Sequence, residues 1–249
     1  MKTRSISNIF ALLLPALGLA LAGAAVAPPA AAQAPVSAGK VALRDQSNLS
    51  LRKAAEAGLH RMMTTISRGH APDAKPPQNF PIAVGRYGDL GKVSLGIGFE
   101  VNTIDPAVLT KADRTADLGA MTRSTDIWNF VILSNGQPVG LLQLDKVQGR
   151  WQAVAAGAAK LAAEIVAIAP KTGDGSFRFV RIYQATSDLI EVRGNRKRSQ
   201  YLPMQSAQRS LPIAGLSAKT AANAGTLSSE DLLPVLQSAV RSNLQRGTR

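Results

Sequence analysis

The densest group of charged side chains in the sequence lies at a turn between two predicted strands. The group consists of Arg193, Arg196, Lys197 and Arg198. Gly194-Asn195 predicts the turn, because both residues tolerate positive φ angles. Clustered guanidinium and ammonium groups at such a turn can bind the phosphate or carboxylate groups of a polyanion. Arg178 and Arg181, on the preceding predicted strand, extend this predicted binding surface.

The partner that this cluster predicts is an anionic envelope surface, a polysaccharide or an acidic protein. We expect no nucleic-acid partner, because Tyr201 is the one aromatic side chain close to the cluster and single strands need several rings for stacking. An alternative interpretation gives the cations no partner. They would then protect an exposed turn from edge-to-edge association and keep the protein soluble.

Candidate catalytic residues are few. The sequence has no Cys and two His, which excludes a cysteine nucleophile, a thiolate metal site and a site built from three histidines. His60 lies beside Arg61 on a predicted helix, as expected for a surface residue. A competing hypothesis is a secreted or periplasmic hydrolase whose site forms only in three dimensions, with His70, Glu100 or Asp105 as its acid or base.

Motifs for cofactors and metals are also absent. Gly96-Ile97-Gly98 lacks the third glycine and the following helix of a dinucleotide-binding loop. Asp113 and Asp117 are four residues apart, but nearby arginines are expected to neutralise them, and no EF-hand spacing occurs. Glu191 is expected to be a solvated strand position. The sequence therefore predicts no cofactor and no metal site.

The first 32 residues have the layout of a secretory signal peptide. Lys2 and Arg4 precede an uncharged run from Ile9 to Ala27, and small residues follow it. We expect cleavage after Ala32, an exported protein in the periplasm or outside the cell, and no transmembrane segment in the mature chain. The alternative is a permanent membrane anchor, since the run approaches spanning length, but Pro15 interrupts it.

The net charge of +13 is unevenly distributed along the chain, which suggests how the chain is organised. Residues 71–170 are neutral overall, as expected for the core of a fold, whereas the flanks are basic. The predicted segments are a signal peptide at 1–32, a disordered lead-in at 33–47, an α+β domain at 48–204, a flexible connection at 205–227, and a C-terminal amphipathic helix with a basic tail at 228–249.

Local patterns within the predicted domain indicate helices and antiparallel strands. Lys92 to Asn102 alternates apolar and polar residues, which predicts a strand with one apolar face and one wet face. Asn135-Gly136 between two apolar runs predicts a β-hairpin, and Gln148-Gly149 predicts the next turn. A helix from Leu51 to Ile66 precedes these strands, and another follows them.

The sequence thus predicts an α+β fold with an antiparallel sheet built from two meanders and helices packed on one face. The linkers between strands are too short for many parallel crossovers. The predicted function is that of a non-enzymatic accessory or binding module of the bacterial envelope. A third hypothesis is a protein-interaction domain that uses the wet face of Lys92 to Asn102.

Overall fold

The computed structural model describes residues 38–169, 177–193, 199–213 and 225–247. Within these ranges the chain forms one seven-stranded sheet and its surrounding helices. The strands are β1 (Val93–Ile104), β2 (Thr122–Ser134), β3 (Gln137–Val147), β4 (Arg150–Gly157), β5 (Arg178–Ile182), β6 (Ser187–Arg193) and β7 (Ser199–Pro203). The α-helices are α1 (Ala38–Ser67), α2 (Pro106–Lys111), α3 (Leu118–Met121), α4 (Ala159–Ile168), α5 (Gln205–Ser210) and α6 (Ser229–Gly247).

The sheet has the strand order β4-β3-β2-β1-β5-β6-β7 and is mixed. The two predicted meanders are present, as β2 to β4 and as β5 to β7, and each is antiparallel. Strand β1 lies between them: it pairs antiparallel with β2 and parallel with β5, with Val101 opposite Phe179. The prediction of a purely antiparallel sheet is therefore wrong, because β5, the strand that follows α4, lies beside β1 and parallel to it.

Helices cover both faces of the sheet. Phe130 and Ile132 of β2 pack in the same cluster as α1, whereas Val131 between them packs in the cluster that contains Ile165 of α4. Helix α6 lies on the α1 side, against residues of β5 and β6. The prediction of helices on one face is wrong because the apolar stretches of β2 and β3 bury side chains in both directions.

A β-bulge in β1 changes which helix each of its side chains faces. Gly96 and Ile97 together stand opposite a single residue of β2. Leu95 therefore packs towards α1 and Phe99 towards α4, although strict alternation would put them on the same face. Ile97 is exposed. The predicted single apolar face from Val93 to Val101 is wrong because the extra residue reverses the alternation.

The two predicted tight turns are confirmed. Asn135 and Gly136 have φ angles of 50° and 75° and connect β2 to β3 as a two-residue turn. Gln148 and Gly149, with φ angles of 50° and 76°, connect β3 to β4 in the same way. The first meander is therefore specified by two local sequence signals.

The ends of the predicted domain differ from the structure in detail. The predicted signal peptide lies outside the described residues. Helix α1 begins at Ala38, inside the segment predicted as a lead-in, and α5 occupies the start of the predicted flexible connection. Helix α6 is capped by Ser228, whose hydroxyl accepts the N–H of Asp231 at 3.2 Å, and it continues through Pro234.

Candidate functional site

The predicted binding cluster lies at the end of the second meander. Strands β6 and β7 pair as far as Arg193 opposite Ser199. Residues 194–198, which include Arg196, Lys197 and Arg198, lie outside the described part of the chain. The structure therefore gives the strands that carry the predicted turn, together with the side chains of Arg178 and Arg181.

Arg178 and Arg181 are each paired with a carboxylate, and they lie on opposite faces of the sheet. Arg178 Nη1 lies 3.0 Å from Glu191 Oε2 and donates to the Gly119 carbonyl at 3.2 Å. Arg181 donates to both oxygens of Asp188, at 2.7 and 3.2 Å. Residues three positions apart on a strand point to opposite faces of the sheet, so the two guanidinium groups do not share one surface. Their charges are also balanced locally.

Glu191 belongs to a closed polar cluster beneath α3. Its side chain is 1 % exposed, and its Oε1 accepts the Ser199 hydroxyl at 2.6 Å. Burial, reinforced by this carboxylate, raises the pKa of the neighbouring Tyr201 hydroxyl to about 12. A Cβ atom at Gly119 would lie only 2.8 Å from Glu191 Oε1 and from Ser199 Oγ. The cluster therefore joins α3 to the meander and leaves no space for a substrate.

The expectation that Glu191 is solvated is wrong. The sequence carries a weak signal for the true arrangement, because Arg178 and Glu191 occupy adjacent predicted strands. Their pairing depends on the register of β5 and β6, which places the two residues opposite each other.

Each of the three candidate residues of the hydrolase hypothesis has a different partner in the structure. His70 stacks on the ring of Tyr87 with 3.9 Å between ring centroids. Glu100 accepts the hydroxyl of Ser124 at 2.5 Å. Asp105 caps α2 by accepting N–H groups of its first turn. Across the ranges that the structure describes, no three His, Asp or Glu side chains are grouped so that they could hold a metal ion.

A cleft of about 350 Å³ between α1 and the start of β1 is a site that sequence reasoning missed. Glu56 and His60, one helical turn apart, both line it. Arg52 crosses its wall, pairing with Glu56 at 3.2 Å and donating to the Leu95 carbonyl at 3.3 Å. The four-residue spacing of Glu56 and His60 is the feature of the sequence that could have indicated this cleft. The side chains of Glu56 and His60 are both exposed, and the Glu56 carboxylate is already paired with Arg52.

Comparison of the chain with protein-family models, with curated proteins and with solved structures finds no match in any of the three. Among the helices in the described ranges, none is both long and apolar enough to cross a bilayer. The function must therefore be argued from the charges and cavities of this chain alone.

Proposed function

We propose that this protein is an exported, non-enzymatic binding module of the bacterial envelope that holds an anionic partner at the turn between β6 and β7. The residues assigned to the partner are Arg193, Arg196, Lys197 and Arg198. The observation that carries the proposal is the pairing of Asp188 with Arg181 and of Glu191 with Arg178. These are the acidic residues of the described second meander, and both are already neutralised. The meander has no further carboxylate among its described residues to balance the turn.

Unbalanced cations attract an anionic surface before contact and hold it after contact. Four cations within six residues produce a local field that a protein with evenly mixed charges lacks. Such a field mainly increases the association rate and selects partners by the sign of their charge. Lipid headgroups, acidic polysaccharides and acidic proteins share the phosphate or carboxylate groups that arginine and lysine bind.

The strands on either side of the turn are firmly anchored, which supports a binding role for it. Tyr201 of β7 is opposite Glu191 of β6, and on its other side it pairs with Leu227 through two backbone hydrogen bonds of 2.9 and 2.8 Å. The Ser199–Glu191 hydrogen bond adds a side-chain link across the same two strands. The base from which the turn leaves the sheet is therefore held on both sides.

Export is the second half of the proposal and depends on residues 1–32. A charged start, an uncharged run and small residues before Gln33 support a cleaved leader. Delivery to the envelope would bring the basic turn close to anionic headgroups and polysaccharides. Cell fractionation followed by N-terminal sequencing tests this half, and a cytoplasmic protein that still carries residues 1–32 would contradict it.

Vesicle co-sedimentation tests the binding site directly. The variant combines Arg196→Ser, Lys197→Ser and Arg198→Ser, and it is compared with the wild type on vesicles with and without phosphatidylglycerol. Each cation near an anionic membrane contributes about 1 kcal/mol, so the triple variant should bind about 100-fold more weakly. Wild-type binding should also weaken steeply with added salt.

The matched control removes three other cations and keeps the same net charge. It combines Lys111→Ser, Arg114→Ser and Arg150→Ser, which are exposed positions outside the second meander. The control should bind nearly as well as the wild type. Equal losses in the two variants would mean that net charge, rather than the turn, attracts the membrane. Repeating the series with an acidic polysaccharide separates a lipid partner from a carbohydrate one.

A further inference from the structure

A cavity of about 250 Å³ lies on the sheet face that α4 covers, at the first turn of that helix. Its apolar lining includes Leu141, Ala155 and Leu161. Its polar lining comes from the sheet and consists of Asn129, Gln143 and Arg181. None of the described residues that line the cavity belongs to β6 or β7, so it raises a question independent of the function proposed above.

Asn129 is the polar group that points most clearly to a ligand. It is 5 % exposed and lies on β2 opposite Gln143 of β3, so both side chains project towards α4. The Asn129 side chain makes no hydrogen bond to any residue that the structure describes. The Asn129 amide is not among the described side-chain groups that are sealed from solvent without a partner, so it is open to the cavity, where a bound molecule can accept its hydrogen bonds.

The first turn of α4 supplies further donors at the same place. Ala158, the residue before the helix, has a φ of 57° and provides no side-chain cap. The first helical hydrogen bond runs from Ala162 N to Ala158 O at 3.0 Å, so the N–H groups of residues 159–161 have no acceptor within the helix. These groups and the helix dipole favour a negative charge. Ala158 and Leu161 both line the cavity.

Arg181 contributes the one full positive charge of the cavity lining. Its Nε and Nη2 are bound to Asp188, which orients the guanidinium and leaves Nη1 outside this pair. The carboxylate of Glu164, farther along α4, accepts the N–H of Gln205 at 2.6 Å and does not line the cavity. Because Asp188 balances part of the Arg181 charge, the site suits a monoanion better than a dianion.

We propose that this cavity binds a small carboxylate with a short apolar chain. The Asn129 amide, the Arg181 guanidinium and the first turn of α4 donate to the carboxylate, while Leu141 and Ala155 contact the chain. Ala155 and Ala158 in the lining are exposed, so the site opens to solvent and its volume of about 250 Å³ suits a small ligand without fixing its length. Hexanoate has the required charge and a short apolar chain, and we use it as the probe.

Nuclear magnetic resonance of the purified, nitrogen-15-labelled protein tests the proposal with hexanoate as the probe. We expect saturable shifts of the side-chain amide signals of Asn129 and Gln143 below about 10 mM hexanoate. Hexanol, which has the same chain and no charge, should bind at least tenfold more weakly. Asn129→Leu removes the buried donor, and Ala155→Phe fills the cavity from an exposed position. Each should weaken hexanoate binding at least tenfold.

The control variant is Gln152→Leu, which removes an exposed amide of β4 that does not line the cavity. It should bind hexanoate like the wild type, and thermal unfolding should show that all three variants are folded. The proposal is overturned if hexanoate gives no saturable shifts, if hexanol binds as tightly, or if Asn129→Leu and Ala155→Phe both bind like the control. Each of these results is independent of whether the turn between β6 and β7 binds an anionic partner.

Discussion

Replacing Arg178 by methionine tests whether the ion pair beneath α3 holds the second meander together. The Glu191 carboxylate is 1 % exposed and lies 3.0 Å from Arg178 Nη1, so the substitution leaves a buried charge without its counter-ion. Breaking one side of a buried pair costs about 3–5 kcal/mol. Arg178 is itself 25 % exposed, so water screens part of the interaction, and we expect a loss of about 3 kcal/mol.

A second substitution separates the charge effect from the loss of packing. Glu191→Gln in the Arg178→Met background removes the orphaned charge and keeps an oxygen that can accept the Ser199 hydroxyl. The new amide can also donate towards the Gly119 carbonyl, which Arg178 no longer serves. The double variant should therefore be about 2 kcal/mol more stable than Arg178→Met alone, because the uncompensated buried charge is gone.

Urea unfolding monitored by tryptophan fluorescence measures these differences, since Trp128 and Trp151 lie in the first meander and report global unfolding. Arg150→Met is the matched control, because Arg150 is exposed and should cost less than about 0.5 kcal/mol. The reasoning fails if Arg178→Met costs no more than this control. It also fails if the double variant is no more stable than Arg178→Met alone.

Three further changes test other features of the fold by the same unfolding assay. Gly119→Ala should cost about 1–3 kcal/mol, because the new Cβ would lie 2.8 Å from Glu191 Oε1, whereas Gly91→Ala meets nothing within 4 Å and should be nearly neutral. Gly136→Ala should cost about 1–2 kcal/mol, because its φ of 75° disfavours a Cβ, and an unchanged stability would contradict the turn geometry. Between pH 10 and 12 the wild type should lose stability as the pH rises, because Tyr201 ionises near pH 10 when unfolded and near pH 12 when folded. Its stability should therefore fall faster than that of Tyr201→Phe, by up to about 1.4 kcal/mol per pH unit, and parallel curves would refute this assignment.

The parts of the fold that sequence reasoning predicts correctly are determined by neighbouring residues. Asn135-Gly136 forms a tight turn because both residues tolerate positive φ, and this requirement is met within four residues of chain. The cap of α6, formed by Ser228 and Asp231, is likewise built from residues three apart in the chain. Two-residue turns also set the register of the strand residues beside them, so the pairings of β2 with β3 and of β3 with β4 begin from local signals.

The incorrect predictions concern arrangements that depend on distant parts of the chain. Nothing local in β1 indicates that β5 will lie beside it in parallel, where Asn102 donates to the Phe179 carbonyl at 3.3 Å. The bulge at Gly96 and Ile97 had a partial signal, because glycines within a strand often mark bulges. The reason for glycine at position 98 is not local, since a Cβ there would collide with the ring of Phe130 on the neighbouring strand.

The two candidate sites also differ in whether the sequence alone can identify them. A run of cations between residues 193 and 198 is contiguous in the sequence, so the residue types alone are enough to identify it. The cavity beneath α4 cannot be identified in this way, because Asn129 and Arg181 are 52 positions apart and meet only through the strand order. Asn129 in particular looks like an interruption of an apolar strand until the helix that covers it is taken into account.

The second meander contains arginines with two different roles, and stability and binding measurements can separate them. Arg178 and Arg181 are partly buried and bound to carboxylates, so their removal should lower stability and affect binding only through unfolding. The cations of the turn between β6 and β7 have no described carboxylate left to pair with in this meander. Their removal should therefore lower binding to anionic vesicles without lowering stability. A variant such as Lys197→Ser that destabilised the fold as much as Arg178→Met would show that the turn is structural, and the proposed binding role would lose its basis.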